Sequence, residues 1–338
     1  MLHAAIDLGA TESQFCIREA DGTIVEEKKV PTKKLESLFA IWPTSRVIVE
    51  TSAEAFHIAD AALAHKHQVR VVPATLVKTL GVGARGIKND QRDARTLSEV
   101  SCRIDLPSVH IPSALSREWK SLCGCREALV EARTKLINNV RGWLRTRLWR
   151  VRTGRASTFC DRVRGHASSK TLELPAHIER QLTVLDALNE QVRAADKHVR
   201  DLAKANEVCR RLMTVPGVGP VTAVRFVAAL DDIQRFSGAH SVESYVGLTP
   251  GERSSAERQQ RTGITKAGSA ALRKMLIQSA WSAFRTNAQE PMVAWARKLA
   301  ERRNKFVAVT ALARKITGIL YAMWRDGTSY RSERSAAT

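Results

Sequence analysis

Three short strand-like stretches open the chain with no helix between them, and this order constrains the fold more than any other feature. The segments HAAIDLG (3–9), SQFCIRE (13–19) and TIVEEKKV (23–30) are separated by turn signals, including Asp21-Gly22, and read as a meander of antiparallel strands. A helical stretch at 33–41 follows. Then come an apolar strand SRVIVET (45–51), a helix at 53–66, a fifth strand QVRVVPA (68–74) and a further helix. The order β-β-β-α-β-α-β excludes a simple doubly wound sheet, which alternates from its first strand.

The same order is that of ribonuclease-H-like nuclease folds, in which the first and fourth strands are neighbours. It gives the acidic residues a place. Asp7 lies in the first strand and Glu50 ends the fourth. In IKNDQRDARTL (87–97) Asp90 stands where the next helix begins, with Asp93 one turn further on, so both lie on one helix face. Four carboxylates from three elements can converge on one sheet edge. Such a set repels itself unless cations neutralise it, and hard oxygen donors in that number suit Mg²⁺. Other readings stay open: Asp90 as a plain helix cap, Asp93 as a surface partner of Arg92 or Arg95, Glu50 facing solvent with Glu54 as its rival. Asp7 in IDLGA also resembles the phosphate loop of actin-like sugar kinases, but no second strand-preceded glycine-rich loop follows.

Charge divides the chain. Its 54 Lys and Arg against 34 Asp and Glu give +20, and residues 1–112 are balanced, so the whole excess falls on 113–338. A neutral head and a basic, Arg-dominated body predict a catalytic domain joined to a polyanion-binding one. A hydrophobic content of 44% predicts a globular chain. No uninterrupted apolar run reaches the length that a membrane crossing needs, and the N-terminus lacks a basic, then apolar, leader, so a cytoplasmic, nucleoid-associated protein without membrane partners is expected. The six cysteines include no CxxC, and CGC at 123–125 is too tight for zinc; they read as reduced thiols.

The basic body opens with a helical region at 113–155 that carries eleven Lys and Arg and three Glu. Arg141, Arg145, Arg147 and Arg150 form a candidate phosphate track, while the interleaved Trp119, Trp143 and Trp149 read as packing residues. Residues 153–175 read as a linker. From 176 to 207 an amphipathic helix carries an a/d seam through Ile178, Leu182, Leu185, Asn189, Val192, Asp196, Val199 and Ala203. The seam predicts a coiled-coil arm paired with a second copy; packing within its own chain is the alternative. RLMTVPGVGPVTAVRFVAAL (211–230) has the pattern of a helix-hairpin-helix, in which Gly217 and Gly219 let the backbone approach a phosphate. The expected domains are a catalytic domain at 1–150, a linker and coiled-coil helix at 151–207, and a mainly helical C-terminal domain at 208–330.

Taken together, AAIDLGA, VIVETSAEAFH and GIKNDQRDARTLSE in the first part, and LMTVPGVGPVTA, RFSGAHSVESYVGLTPGERSS and RTGITKAGSAALRKMLIQSAW in the second, resemble the DEDD-type transposases of bacterial and archaeal insertion sequences, the "one-ten" family. The resemblance covers nearly the whole chain. It implies a RuvC-like, Holliday-junction-resolvase-type head with Asp7, Glu50, Asp90 and Asp93 as an acidic tetrad for Mg²⁺. It also implies a C-terminal serine that attacks DNA and becomes joined to it. Alignment on GLTP and GITK places Ser255 at that position with Ser254 beside it; the glycine that follows the serine in relatives is Ala256 here. The neighbouring Arg253, Arg258, Arg261 and Lys266 read as phosphate clamps, with plain solvated charges as the alternative. The resemblance further implies DNA partners at the element ends and the target, a guide RNA encoded by the element, and a homodimer or homotetramer in which different subunits supply the two halves of a site. The competing readings are a metal-dependent junction nuclease with no covalent step, and a non-catalytic nucleic-acid-binding protein.

Overall fold

The computed structural model describes residues 1–79, 90–171, 173–255 and 258–332, and at 78, 253–255 and 258–261 the backbone alone. Its first compact unit, Met1–Pro112, is built on a five-stranded sheet. Strands β1 (Leu2–Asp7), β2 (Glu12–Arg18) and β3 (Ile24–Pro31) form the meander; α1 (Leu35–Ile41), β4 (Ser45–Glu50), α2 (Ala55–Ala64), β5 (Gln68–Val72), α3 (Ala74–Thr79) and α4 (Asp90–Arg103) follow. The order is β3-β2-β1-β4-β5. β1 and β2 are antiparallel, as are β2 and β3, whereas β4 runs parallel to β1 and β5 parallel to β4. Strand limits lie within one or two residues of those expected from the sequence.

Both faces of the sheet are covered, so its inner strands are apolar on both sides. Ala4 and Ile6 of β1, with Val47 and Val49 of β4, pack against Leu35 and Phe39 of α1 and Ile58, Ala59 and Ala62 of α2. Ala5 and Ile48, one residue out of step, pack on the opposite face with Val77 of α3 and Leu97 of α4. Each fully buried Ile or Phe contributes about 1.5–3 kcal/mol, so a one-residue slip of β1 or β4 is prohibited by the loss of both cores.

The second unit, Ser113–Thr338, consists of helices and one hairpin. The first unit thus ends well before the boundary at 150 expected from sequence, because α5 (Ala114–Thr146) packs against helices that follow it in the chain. Two further expectations are corrected. Residues 153–175 are not an open linker: Phe159–Ser169 is a helix, α6, whose Phe159, Cys160 and Val163 are buried beside Ile137, Val140 and Leu144 of α5. And the seam of α7 (Ala176–Ala205) is filled by its own chain. Ile178, Leu182 and Leu185 join that same cluster, while Val199 and Ala203 pack with Trp119 and Cys123. The two polar seam positions are satisfied from α5: Arg126 Nε donates to Asp196 Oδ1 at 2.5 Å and Arg133 Nη1 to Asn189 Oδ1 at 3.3 Å. They fix the register of an antiparallel α5/α7 pair and are not evidence of an intermolecular one.

Beyond α7 come α8 (Glu207–Leu212), α9 (Pro220–Leu230), α10 (Ala239–Val246), β6 (Pro250–Ser255), β7 (Arg258–Ile264), α11 (Ala270–Thr286), α12 (Pro291–Arg302) and α13 (Lys305–Asp326). By length and composition α13 alone among the described helices is apolar enough to cross a membrane, with a mean hydropathy of 1.4. Half of that window is buried, and Leu312, Ile316 and Leu320 belong to the core shared with α9, α11 and α12.

Candidate active site

The sheet register sets the position of the first two acids. β1 and β4 pair in parallel up to Ile6↔Val49, so Asp7 and Glu50 are the next residues of two adjacent strands. Side chains alternate across a sheet. Ala5 and Ile48 face α4, and His3 shares a 2.8 Å hydrogen bond with Ser101 of that helix. Asp7 and Glu50, each two residues further on, therefore emerge on the α4 face at the carboxyl ends of their strands. Glu54 precedes α2, which covers the opposite face, so it is the poorer candidate.

The helix supplies the other two. α4 starts at Asp90, with Asp93 in the same turn; Asp93 is 8% exposed and Asp90 is exposed. Residues 80–89, including the Gly-Ile-Lys-Asn stretch that leads into the helix, lie outside the described residues. The first turn of α4 is held over the edge strand β3. Arg95 donates to Glu27 through Nε at 2.8 Å and Nη2 at 2.6 Å, and Gln91 Nε2 adds a third bond at 2.9 Å. These donors hold the Glu27 carboxyl below its usual range, against the opposing effect of its burial. Lys29, two residues along β3, is bonded to Glu12 at 2.7 Å, and Glu12 first and Asp90 to a lesser degree raise its pKa. A cross-strand row Asp7–Gln14–Lys29 connects these groups on one face.

Among the described residues no group of three or more His, Cys, Asp or Glu side chains is gathered closely enough to hold a metal ion. The donor set fits Mg²⁺ in chemistry, being all carboxylate oxygen, and in sharing one face of the sheet.

The serine stretch is a hairpin. Ser254 and Ser255 are the last two residues of β6, paired with Gln259 and Arg258 of β7; the side chains of both serines and of Arg253, Arg258 and Arg261 lie outside the described residues, as do Ala256 and Glu257 altogether. The root of the hairpin is tightly clasped. Thr265 N donates to Thr249 O at 2.9 Å and Lys266 N to Gly247 O at 3.1 Å. Gly247 (φ +76°) and Gly268 (φ +70°) are left-handed, and a Cβ on them would stand 2.2 Å from Ala267 O and 1.9 Å from Tyr245 O. The GLTP and GITK motifs are the two sides of this clasp. Lys266 is itself left-handed, at φ 57°, with an exposed side chain.

The two glycines of PGVGP have different tasks. Gly217 (φ +86°) lies against α11, where a Cβ would meet Ser279 O at 2.2 Å. Its glycine requirement comes from packing within the chain, which the sequence reading did not foresee. Gly219 is the N-cap of α9, and open space surrounds its Cα. Of the expected phosphate track, Arg141 lies 5.4 Å over Phe159 and Arg147 4.2 Å over Trp143; Arg145 and Arg150 are exposed. Trp119 is buried, and Trp143 and Trp149 pack edge to face at 5.5 Å. Glu27 and Lys29 carry no assignment in the sequence reading, and Arg95, offered there as a partner of Asp93, is bonded to Glu27. The run Glu-Glu-Lys-Lys in VEEKKV was the available signal, because in a strand it sets an acid and a base, Glu27 and Lys29, on the same face.

Comparison with known proteins identifies the family. Residues 4–147 match a DEDD-type family described as "Transposase", and residues 209–293 match the "Transposase IS116/IS110/IS902 family". The chain is 27% identical over 332 residues to the transposase for insertion sequence element IS1111A of Coxiella burnetii, covering 96% of this chain and 90% of that protein. It is 28% identical over 315 residues to a probable family 20 transposase of Pseudomonas aeruginosa, covering 91% and 92%. It is 26% identical over 341 residues to the transposase for insertion sequence element IS1328 of Yersinia enterocolitica, covering 96% and 97%. With relatives along nearly its full length and both family regions in order, the chain belongs to the IS116/IS110/IS902 family of transposases, enzymes that cleave DNA and transfer its strands.

Proposed function

We propose that this transposase moves its insertion sequence as a site-specific recombinase whose serine becomes transiently joined to DNA. The observation that carries the reading is the common face of Asp7 and Glu50 beside the helix that begins with Asp90 and Asp93. A strand order of β3-β2-β1-β4-β5 supports a RuvC-like head of the ribonuclease-H type. Asp7, Glu50, Asp90 and Asp93 would hold Mg²⁺, which when bound neutralises phosphate charge and polarises the scissile P–O bond.

Ser255 is the nucleophile. Its Oγ–P bond forms as the P–O bond to one DNA strand breaks; the serine proton passes to a base and the departing DNA oxygen takes one up. In the second half the bonds reverse: a hydroxyl of the recipient strand attacks the phosphorus and Oγ leaves as a serine hydroxyl. Arg253, Arg258, Arg261 and Lys266 clamp flanking phosphates, and the Gly219 end of α9, as part of a helix-hairpin-helix with Gly217, holds another through free N–H groups. Arg141, Arg145, Arg147 and Arg150 track a nucleic-acid backbone, which we assign to a guide RNA encoded by the element as well as to DNA. The acting form is a homodimer or homotetramer, working where the cell's DNA is.

Trapping the reaction with element-end DNA tests the covalent step. A denaturation-resistant adduct with nucleotide mass on Ser255 is expected. Metal-dependent nicking with no adduct would instead mark a junction nuclease. RNA that co-purifies with the protein, if it maps to the element's own non-coding end, identifies the guide; random cellular RNA would remove that assignment.

A further inference from the structure

We infer that Glu27, on the edge strand β3, is a positioning residue for the acidic site: it pins the first turn of α4 and so fixes where Asp90 and Asp93 stand. The inference rests on the reading of those acids as metal ligands. Glu27 takes three hydrogen bonds from α4, two from Arg95 and one from Gln91. The donors lie one residue after Asp90 and two after Asp93, so the clamp closes around the turn that carries both acids. Its carboxylate is well enclosed, 13% exposed, and meets the guanidinium through both oxygens, a geometry that fixes orientation as well as distance.

The need for such a clamp follows from the helix itself. At its first turn α4 has Asp90, Gln91 and Arg92 all exposed, so no apolar side chain anchors the stretch; its buried apolar anchors, Ala94 and Leu97, come later. Two carboxylates in one turn also repel each other, and a metal site needs both held in place before the ion arrives. Further along, α4 is tied to the sheet by Arg18 Nε to Ser98 at 3.0 Å and by the His3–Ser101 bond. Glu27 is the member of this series nearest the acids. It touches neither the reacting phosphate nor the ion; it acts through Gln91 and Arg95.

Partners that orient metal ligands cost about 10–100-fold in metal affinity when removed. The test is Mn²⁺ binding to the full-length protein, followed by electron paramagnetic resonance, alongside thermal melting. Glu27→Gln should weaken Mn²⁺ binding by about ten-fold, at the lower end of that range because Glu27 acts at one remove. Arg95→Ala should do the same from the exposed side of the clamp, which keeps the test open if the strand variant melts early. The exchange Glu27→Arg with Arg95→Glu should recover most of the affinity, a rescue that a general loss of packing does not give. Asp7→Asn and Asp93→Asn separate the two layers of the argument. If they bind Mn²⁺ like the wild type, the acidic site itself is overturned. If they lose it while Glu27→Gln and Arg95→Ala keep wild-type affinity, the clamp alone is overturned.

Discussion

The acids and the serine of this transposase are positioned by opposite means. Asp7 and Glu50 are the ends of two strands in a sheet covered on both faces, and their side follows from the pleat that buries Ala5 and Ile48. Ser255 ends a strand in a two-stranded sheet with no third strand beside it. A lone hairpin is marginal by itself, and this one is secured at its root, by Gly247, Gly268 and the Thr249–Thr265 bond. The difference teaches how the two proposed parts of the site would be served, the acids by the fixed geometry of a covered sheet and the serine by a firm base to its hairpin.

The largest expected effect breaks both regions at single atoms. Ser255→Ala should abolish strand cleavage, a loss of at least about 10³-fold, with DNA binding kept, because it removes the attacking oxygen and little volume. Asp7→Asn should be as severe for recombination, since it keeps shape and removes one ligand charge. Gel assays of cleavage and of binding on the same variants separate chemistry from affinity. An active Ser254→Ala, Ser255→Ala double variant would discard the covalent serine.

Next in size is the charge contrast between the two units. With roughly 6–10 phosphate contacts from the basic second unit, affinity should fall on the order of 10³–10⁵ between 50 and 200 mM salt. Removing Arg141, Arg145, Arg147 and Arg150 together should flatten that slope. An unchanged slope would show that the tip of α5 carries no phosphates.

Much of the first unit was legible because its signals are local. Short apolar runs in HAAIDLG and SRVIVET, bounded by turn signals, identify strands without reference to anything distant. The candidate site offered only residue types at strand and helix ends. What stayed hidden depends on partners far along the chain. Gly217 is required by Ser279 of α11, and the α7 seam by α5. α6 was obscured by its own Gly165 and its serine-rich end, although Phe159, Cys160 and Val163 supply the buried side that makes it a helix. Glu27 was missed because its value lies in Arg95 and Gln91 across the sheet.

The glycines of PGVGP give a middle-sized test of that lesson. Gly217→Ala should destabilise by about 1–3 kcal/mol or more, from left-handed strain and a close approach to Ser279. Gly219→Ala, with open space around it and φ −102°, should cost less than about 1 kcal/mol. If Gly219 serves a phosphate, its variant should lose DNA affinity without a matching loss in melting temperature; equal effects at both positions would make the pair purely structural.

The smallest effect returns to the sheet. Hydrogen bonds from Arg95, and then from Gln91, hold the Glu27 carboxyl below the ordinary 4.5. A group whose folded pKa is depressed stabilises the native state above its unfolded value and loses that contribution as pH falls through the folded one. The melting temperature of the wild type should therefore exceed that of Glu27→Gln by a few degrees, on the order expected for a partly screened ion pair, at neutral pH. The gap should be unchanged down to about pH 5 and close at lower pH, as the wild-type carboxyl takes up its proton. The backbone bonds at the root of the serine hairpin, by contrast, do not titrate. A gap that persisted at low pH would mean that Glu27 packs by shape and not by charge, and would weaken the case that it orients α4 through Arg95.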